Sequence, residues 1–135
     1  MSTRLGSGDY VYEEVADWAK LPEGWSFRDA PDVAVDAQDR VYVFNRGDHP
    51  MVVFEPDGSF ITSWGEKSFV RPHGVTLGPD GALYCVDDGA HCIYKCSLDG
   101  RVLATIGTPG QPAPRLSGRP FNQPTKVAFH PQSGN

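Results

Sequence analysis

Residues 32–65 read DVAVDAQDRVYVFNRGDHPMVVFEPDGSFITSWG, and residues 74–107 read GVTLGPDGALYCVDDGAHCIYKCSLDGRVLATIG. The two stretches align without a gap at an offset of 42 residues. Tyr42/Tyr84, Gly47/Gly89, His49/His91, Asp57/Asp99, Gly58/Gly100 and Gly65/Gly107 recur unchanged. Apolar character is kept at Val33/Val75, Val41/Leu83, Met51/Ile93 and Phe60/Val102. A period near 40–45 residues with strand-like content points to propeller blades. A single blade cannot bury both its faces, so the chain is read as part of a ring.

Each repeat resolves into four short strands. In the first they are predicted at 32–36, 40–45, 51–55 and 60–64, and in the second at 74–78, 82–87, 93–97 and 102–106. Val, Ile, Tyr and Phe dominate these runs, as a half-buried pleated surface requires. Pro56-Asp57-Gly58 and Leu98-Asp99-Gly100 join the last two strands of each repeat, and Pro79-Asp80-Gly81 joins the first two of the second. Asp-Gly between apolar runs is a hairpin signal, because Gly accepts positive φ and Asp closes the turn. A helical stripe is weak everywhere and confined to 12–19.

A third repeat begins at PTKVAF (124–129), which matches PHGVTL (72–77) at an offset of 52. The extra residues are the Pro- and Gly-rich stretch 110–119, read as a surface loop. The sequence ends where the second strand of that blade is due, so the chain is expected to be the N-terminal part of a longer propeller. Residues 1–30 form an N-terminal segment whose first eight residues are Ser/Gly-rich and expected to be flexible. The stretch 10–18 is the candidate ring-closing strand, and Trp25 and Phe27 are expected to pack on the first blade. The organisation is therefore segment 1–30, blade one at 31–66, blade two at 71–107, loop 108–120 and the start of blade three at 121–135.

Net charge is −5, which argues against a nucleic-acid footprint. Apolar residues make up 39%. No apolar run is long enough to span a membrane and no signal-peptide core is visible, so a cytoplasmic location is expected. Cys85 and Cys96 stand where the first repeat has Val43 and Phe54, which reads as buried, inert thiols. Cys92 and Cys96 fall on one strand face but about 13 Å apart, too far to share a zinc ion with His91.

YCVDDGAHCI (84–93) and YVFNRGDHPM (42–51) resemble the NHL repeat. A narrower set also matches in order: VYVFNRGDH (41–49), FVRPHGV (69–75) and FNQPT (121–125). Together these resemble the opening of the peptidyl-α-hydroxyglycine α-amidating lyase (peptidylamidoglycolate lyase) family, six-bladed propellers with a metal centre on the ring axis. The resemblance implies an all-β NHL-type propeller, with about two and a half four-stranded antiparallel blades in this chain. It implies zinc ligation by His73, a substrate-facing role for Arg46, and a calcium ion held by the backbone carbonyls of Val33 and Val75. Read from the residues alone, the alternatives are His73 as a strand-capping hydrogen bonder and Arg46 as a salt-bridge partner of Asp48 or Asp88. Recurrence of His49 and His91 marks them as turn-stabilising, His130 reads as solvated, and Asp87 and Asp88 point to opposite faces, which excludes a dyad.

Two functions compete. One is a zinc-assisted carbon–nitrogen lyase acting on a small or peptide-like substrate to give a peptide amide and glyoxylate. Its remaining metal ligands and catalytic Tyr would lie in later blades, so this chain alone is expected to be inactive. The other is a non-catalytic NHL propeller that binds a ligand or protein. Neither nucleic acid nor membrane is an expected partner, and exposed blade faces are expected to drive self-association.

Overall fold

The computed structural model describes residues 3–135. Every regular element among them is a strand: β1 (Arg4–Ser7), β2 (Tyr10–Glu13), β3 (Asp32–Val35), β4 (Val41–Phe44), β5 (Met51–Phe54), β6 (Phe60–Trp64), β7 (Pro72–Leu77), β8 (Leu83–Asp87), β9 (Cys92–Cys96) and β10 (Val102–Ile106). Strands β3–β6 form one four-stranded sheet and β7–β10 another, each ordered as in the sequence. All pairs are antiparallel. These are two successive blades of an NHL-type β-propeller, as the 42-residue repeat predicts.

The repeat extends to fine detail. In blade one Val53 pairs Thr62 and Phe54 pairs Phe60, which leaves Ile61 as an extra residue. Blade two repeats the irregularity, with Leu103 extra between Val102 and Ala104. A bulge at the same place in the outermost strand sharpens the local twist of both blades. The turn before it depends on glycine in blade two. Gly100 has φ +89°, and a Cβ there would lie 2.6 Å from the Trp64 ring of the neighbouring blade.

Alternation along each strand decides what faces what. Tyr42, Phe44, Met51, Val53 and Trp64 of blade one meet Val75, Leu83, Cys85 and Cys96 of blade two in one core. On the opposite face of blade one, Val43, Val52 and Phe54 are covered by Trp18, Ala19, Leu21 and Phe27. Trp25 packs edge-on against Phe60, and Phe27 against Phe54. The expected packing role of Trp25 and Phe27 is therefore observed.

The N-terminal expectation needs correction. Residues 4–7, read as flexible, form β1, and the strand read over 10–18 stops at Glu13. β1 and β2 pair only with each other, around the two-residue Gly8-Asp9 turn, and are exposed throughout. A Gly-containing two-residue link suits a tight hairpin of this kind. Met1 and Ser2 lie outside the described residues. What joins blade one is instead a single parallel bridge from Lys20 to Ser59. Residues 124–129 run beside β7 without a ladder of their own, and are held there by side chains. Thr76 Oγ1 donates to the Val127 carbonyl at 2.7 Å, and Phe129 packs edge-on against Tyr84.

Candidate functional site

The site is assembled where the second strand of one blade ends and the first strand of the next begins. Asn45 and Asp87 hold equivalent positions just there, both buried. Asn45 Oδ1 accepts from Gly47 N at 2.7 Å, and its Nδ2 donates to the His49 carbonyl at 2.5 Å. Asp87 accepts backbone N–H bonds from Val70, Arg71 and Ala90 at 2.7, 2.9 and 2.9 Å. These polar side chains replace ladder bonds at the point where the chain leaves the sheet.

Arg46 follows Asn45. Its backbone N–H donates to the Asp29 carbonyl at 2.8 Å, as that of Asp88 does to Arg71 at 3.2 Å. Its guanidinium crosses to the next blade, where Nε donates to the Pro72 carbonyl at 2.9 Å. Nη1 stands 3.9 Å from Asp29 Oδ2. The expected alternatives, ion pairs with Asp48 or Asp88, do not form. Asp88 is instead paired with Arg71 at 3.6 Å. The charges are thus exchanged between repeats: Asp29 with Arg46 in blade one, Arg71 with Asp88 in blade two.

His73 comes directly after the Pro72 carbonyl that Arg46 holds. It lies in an irregular part of β7, where three steps from Pro72 to Val75 match only two from Asp87 to Cys85. Blade one has no such irregularity in β3. Bulges of this kind re-aim side chains and are frequent beside active sites. The half-buried imidazole makes no hydrogen bond to any described residue, so the strand-capping alternative is not realised. Arg46, Asp29, Arg28, Arg71 and Phe69 line a cleft of about 330 Å³ between the two blades. Three guanidiniums against one carboxylate on that wall suit an anionic ligand.

Val75 is fully buried and Val33 is half exposed. The Val75 carbonyl accepts from Lys126 Nζ at 2.8 Å. No group of three or more His, Cys, Asp or Glu among the described residues could hold a metal ion. The described part of the protein therefore offers His73 as a single imidazole, which fits zinc only as one ligand of a set.

The other histidines serve their surroundings. His49 stacks on Trp25, with ring centroids 3.3 Å apart, and its Nδ1 lies 3.3 Å from Glu66 Oε1. His91 has φ +59° and accepts from Gln123 N at 3.1 Å, which anchors the start of the third repeat. His130 accepts from Ser133 N at 3.3 Å within its own turn. All three cysteines are free and buried. Cys85 and Cys96 lie on one face across β8 and β9, and the hydrogen bond from Cys96, together with burial, pushes the Cys85 thiol well up. A thiol held in that form is a poor nucleophile.

Neither Lys126 nor Asp29 stands out in the sequence by motif or composition. The signal for Lys126 was present in the third repeat, where it aligns with Gly74 and Asp32. For Asp29 the signal was the inverted charge of Asp29/Arg71 at one repeat position and Arg46/Asp88 at another.

No protein-family model matches the chain. Among curated proteins, it is 28% identical to peptidylglycine alpha-amidating monooxygenase of Rattus norvegicus over 95% of its own length and 16% of that protein. It is 34% identical to peptidyl-alpha-hydroxyglycine alpha-amidating lyase 1 of Drosophila melanogaster over 58% of its length and 15% of that protein. It is 29% identical to NHL repeat-containing protein 3 of Homo sapiens over 87% of its length and 36% of that protein. The chain is thus related, at modest identity, to amidating-lyase and NHL-repeat proteins. It spans only a minor part of each of these relatives.

Proposed function

We propose that the protein carrying this chain is a propeller lyase that cleaves a peptidyl-α-hydroxyglycine-like carbinolamide. The C–N bond breaks, the carbinol hydroxyl loses its proton, the nitrogen gains one, and the products are a peptide amide and glyoxylate. The observation that carries this reading is the guanidinium of Arg46 held on the Pro72 carbonyl, one residue from the unpartnered imidazole of His73. Arg46 binds and orients the anionic end of the substrate at the basic cleft, and opposes negative charge as the C–N bond opens. His73 is one ligand of a zinc centre completed by other blades. Zinc, when bound, polarises the carbinol oxygen. Similarity to the Drosophila lyase supports this reading.

The test uses the protein at its full natural length with N-benzoyl-α-hydroxyglycine as probe, following glyoxylate release. Activity is expected, together with about one zinc per chain. Arg46→Ala should lower kcat/KM about 100-fold with zinc retained, in line with the loss of one charge-stabilising donor. His73→Ala should lower both zinc content and activity. A protein with no glyoxylate release and no zinc is instead a binding scaffold, the reading favoured by similarity to NHL repeat-containing protein 3 over most of the chain.

A further inference from the structure

The inner strands of three successive repeats meet at one repeat position, occupied by Asp32, Gly74 and Lys126. The Lys126 ammonium of the third repeat reaches across Gly74 of the second to the Asp32 carboxylate of the first. It also donates to the Val75 carbonyl at 2.8 Å. Asp32 is tied down from both sides: Oδ2 accepts from Val75 N at 2.8 Å and Oδ1 from Val33 N at 3.0 Å. The crossing requires the glycine. A Cβ at Gly74 would stand 2.3 Å from the Thr125 carbonyl and 3.2 Å from Lys126 Cα. The backbone of Gly74 is not in the left-handed region, so space alone calls for glycine there.

We infer that the cation joining the inner strands of this protein is its own Lys126 ammonium, seated on the Val75 carbonyl that the family resemblance assigns to calcium. Calcium takes six to eight oxygens and brings a double charge. Here the Val75 carbonyl and the Asp32 carboxylate already share a full positive charge delivered by the chain. A calcium ion on the same oxygens would have to displace the ammonium or sit beside it against like charge. The cluster thus acts as a covalently supplied stand-in for a metal clamp, tying blade one, blade two and the third repeat together. This inference is independent of whether the protein is a lyase.

The test compares wild type, Lys126→Met, Asp32→Asn and the double variant of the full-length protein. Melting temperature is measured in 1 mM EGTA and in 1 mM calcium chloride. Lys126→Met keeps the apolar stem and removes only the charge. It should lower the Tm by about 3–6 °C in both media, as expected for loss of a partly buried ion pair. The double variant should lose clearly less than the sum of the two single losses, because the two groups act as one unit. The inference is overturned if Lys126→Met leaves the Tm unchanged in EGTA, or if the two losses add. It is equally overturned if calcium raises the wild-type Tm by an amount that Asp32→Asn abolishes.

Discussion

Tyr42 and Tyr84 recur for a polar reason that their apolar surroundings conceal. Tyr42 donates to Asp36 at 3.1 Å and Tyr84 to Asp80 at 3.0 Å, so each ring packs in a sheet while its hydroxyl locks the turn beside it. Burial first, and then the bond to Asp36, raise the Tyr42 hydroxyl to about 12. His49 and His91 recur too, yet the repeat misleads about their partners, because one stacks on the N-terminal segment and the other takes a bond from the start of the third repeat. At Asp87 a single buried carboxylate accepts three N–H bonds that no strand supplies. Asp87→Ala should therefore cost about 2–3 kcal/mol, read from chemical denaturation, since the buried Ala90 donor and the part-buried Val70 and Arg71 donors lose their acceptor. Asp87→Asn should cost less, because its remaining oxygen still accepts.

Between the residue and the whole molecule stand turns and strand ends. Asp80 sits in the β7–β8 turn and is held by Lys95, Ala82 and Tyr84. The Lys95 ammonium beside it, foremost, lowers its pKa from 3.8 to about 2. A carboxylate whose folded pKa is depressed stabilises the fold above its unfolded pKa and loses that contribution as pH falls through the folded one. The Tm should accordingly drop between pH 3.8 and about 2, and Asp80→Asn should flatten the curve in that window. Asp36 adds the same sign, since bonds from Arg40, Gln38 and Tyr42 outweigh its burial. The Asp-Gly turns were legible from composition, whereas the contact that makes Gly100 indispensable was not. Its pairing with Trp64 lies across a blade boundary. Gly100→Ala should cost about 2–3 kcal/mol in equilibrium unfolding, combining a left-handed backbone with a clash on the indole.

At the scale of the molecule, two blades present faces that their own strands cannot cover. Val33 and Val35 on β3, and Val102, Leu103 and Ile106 on β10, are exposed. So are Leu5, Tyr10 and Tyr12 on the N-terminal hairpin. The 135-residue chain produced alone should self-associate, with a sedimentation coefficient that rises with concentration, and a concentration-independent monomer would refute this. No helix among the described residues is long and apolar enough to cross a membrane. By itself the sequence determined the blades, because a 42-residue period fixes strand order and alternation fixes which residues of each strand face together. It also placed Arg46 and His73 at strand ends, where a blade meets its neighbour. Only the tertiary structure decided the partners. Arg46 binds a carbonyl of the next blade in preference to either aspartate, the N-terminal strand pairs locally, and Lys126 closes on Asp32 across 94 residues of sequence. For the two side chains the physical reason is the same. Periodicity specifies which face a side chain leaves from, but long polar side chains choose among acceptors only once packing has set the distances between blades.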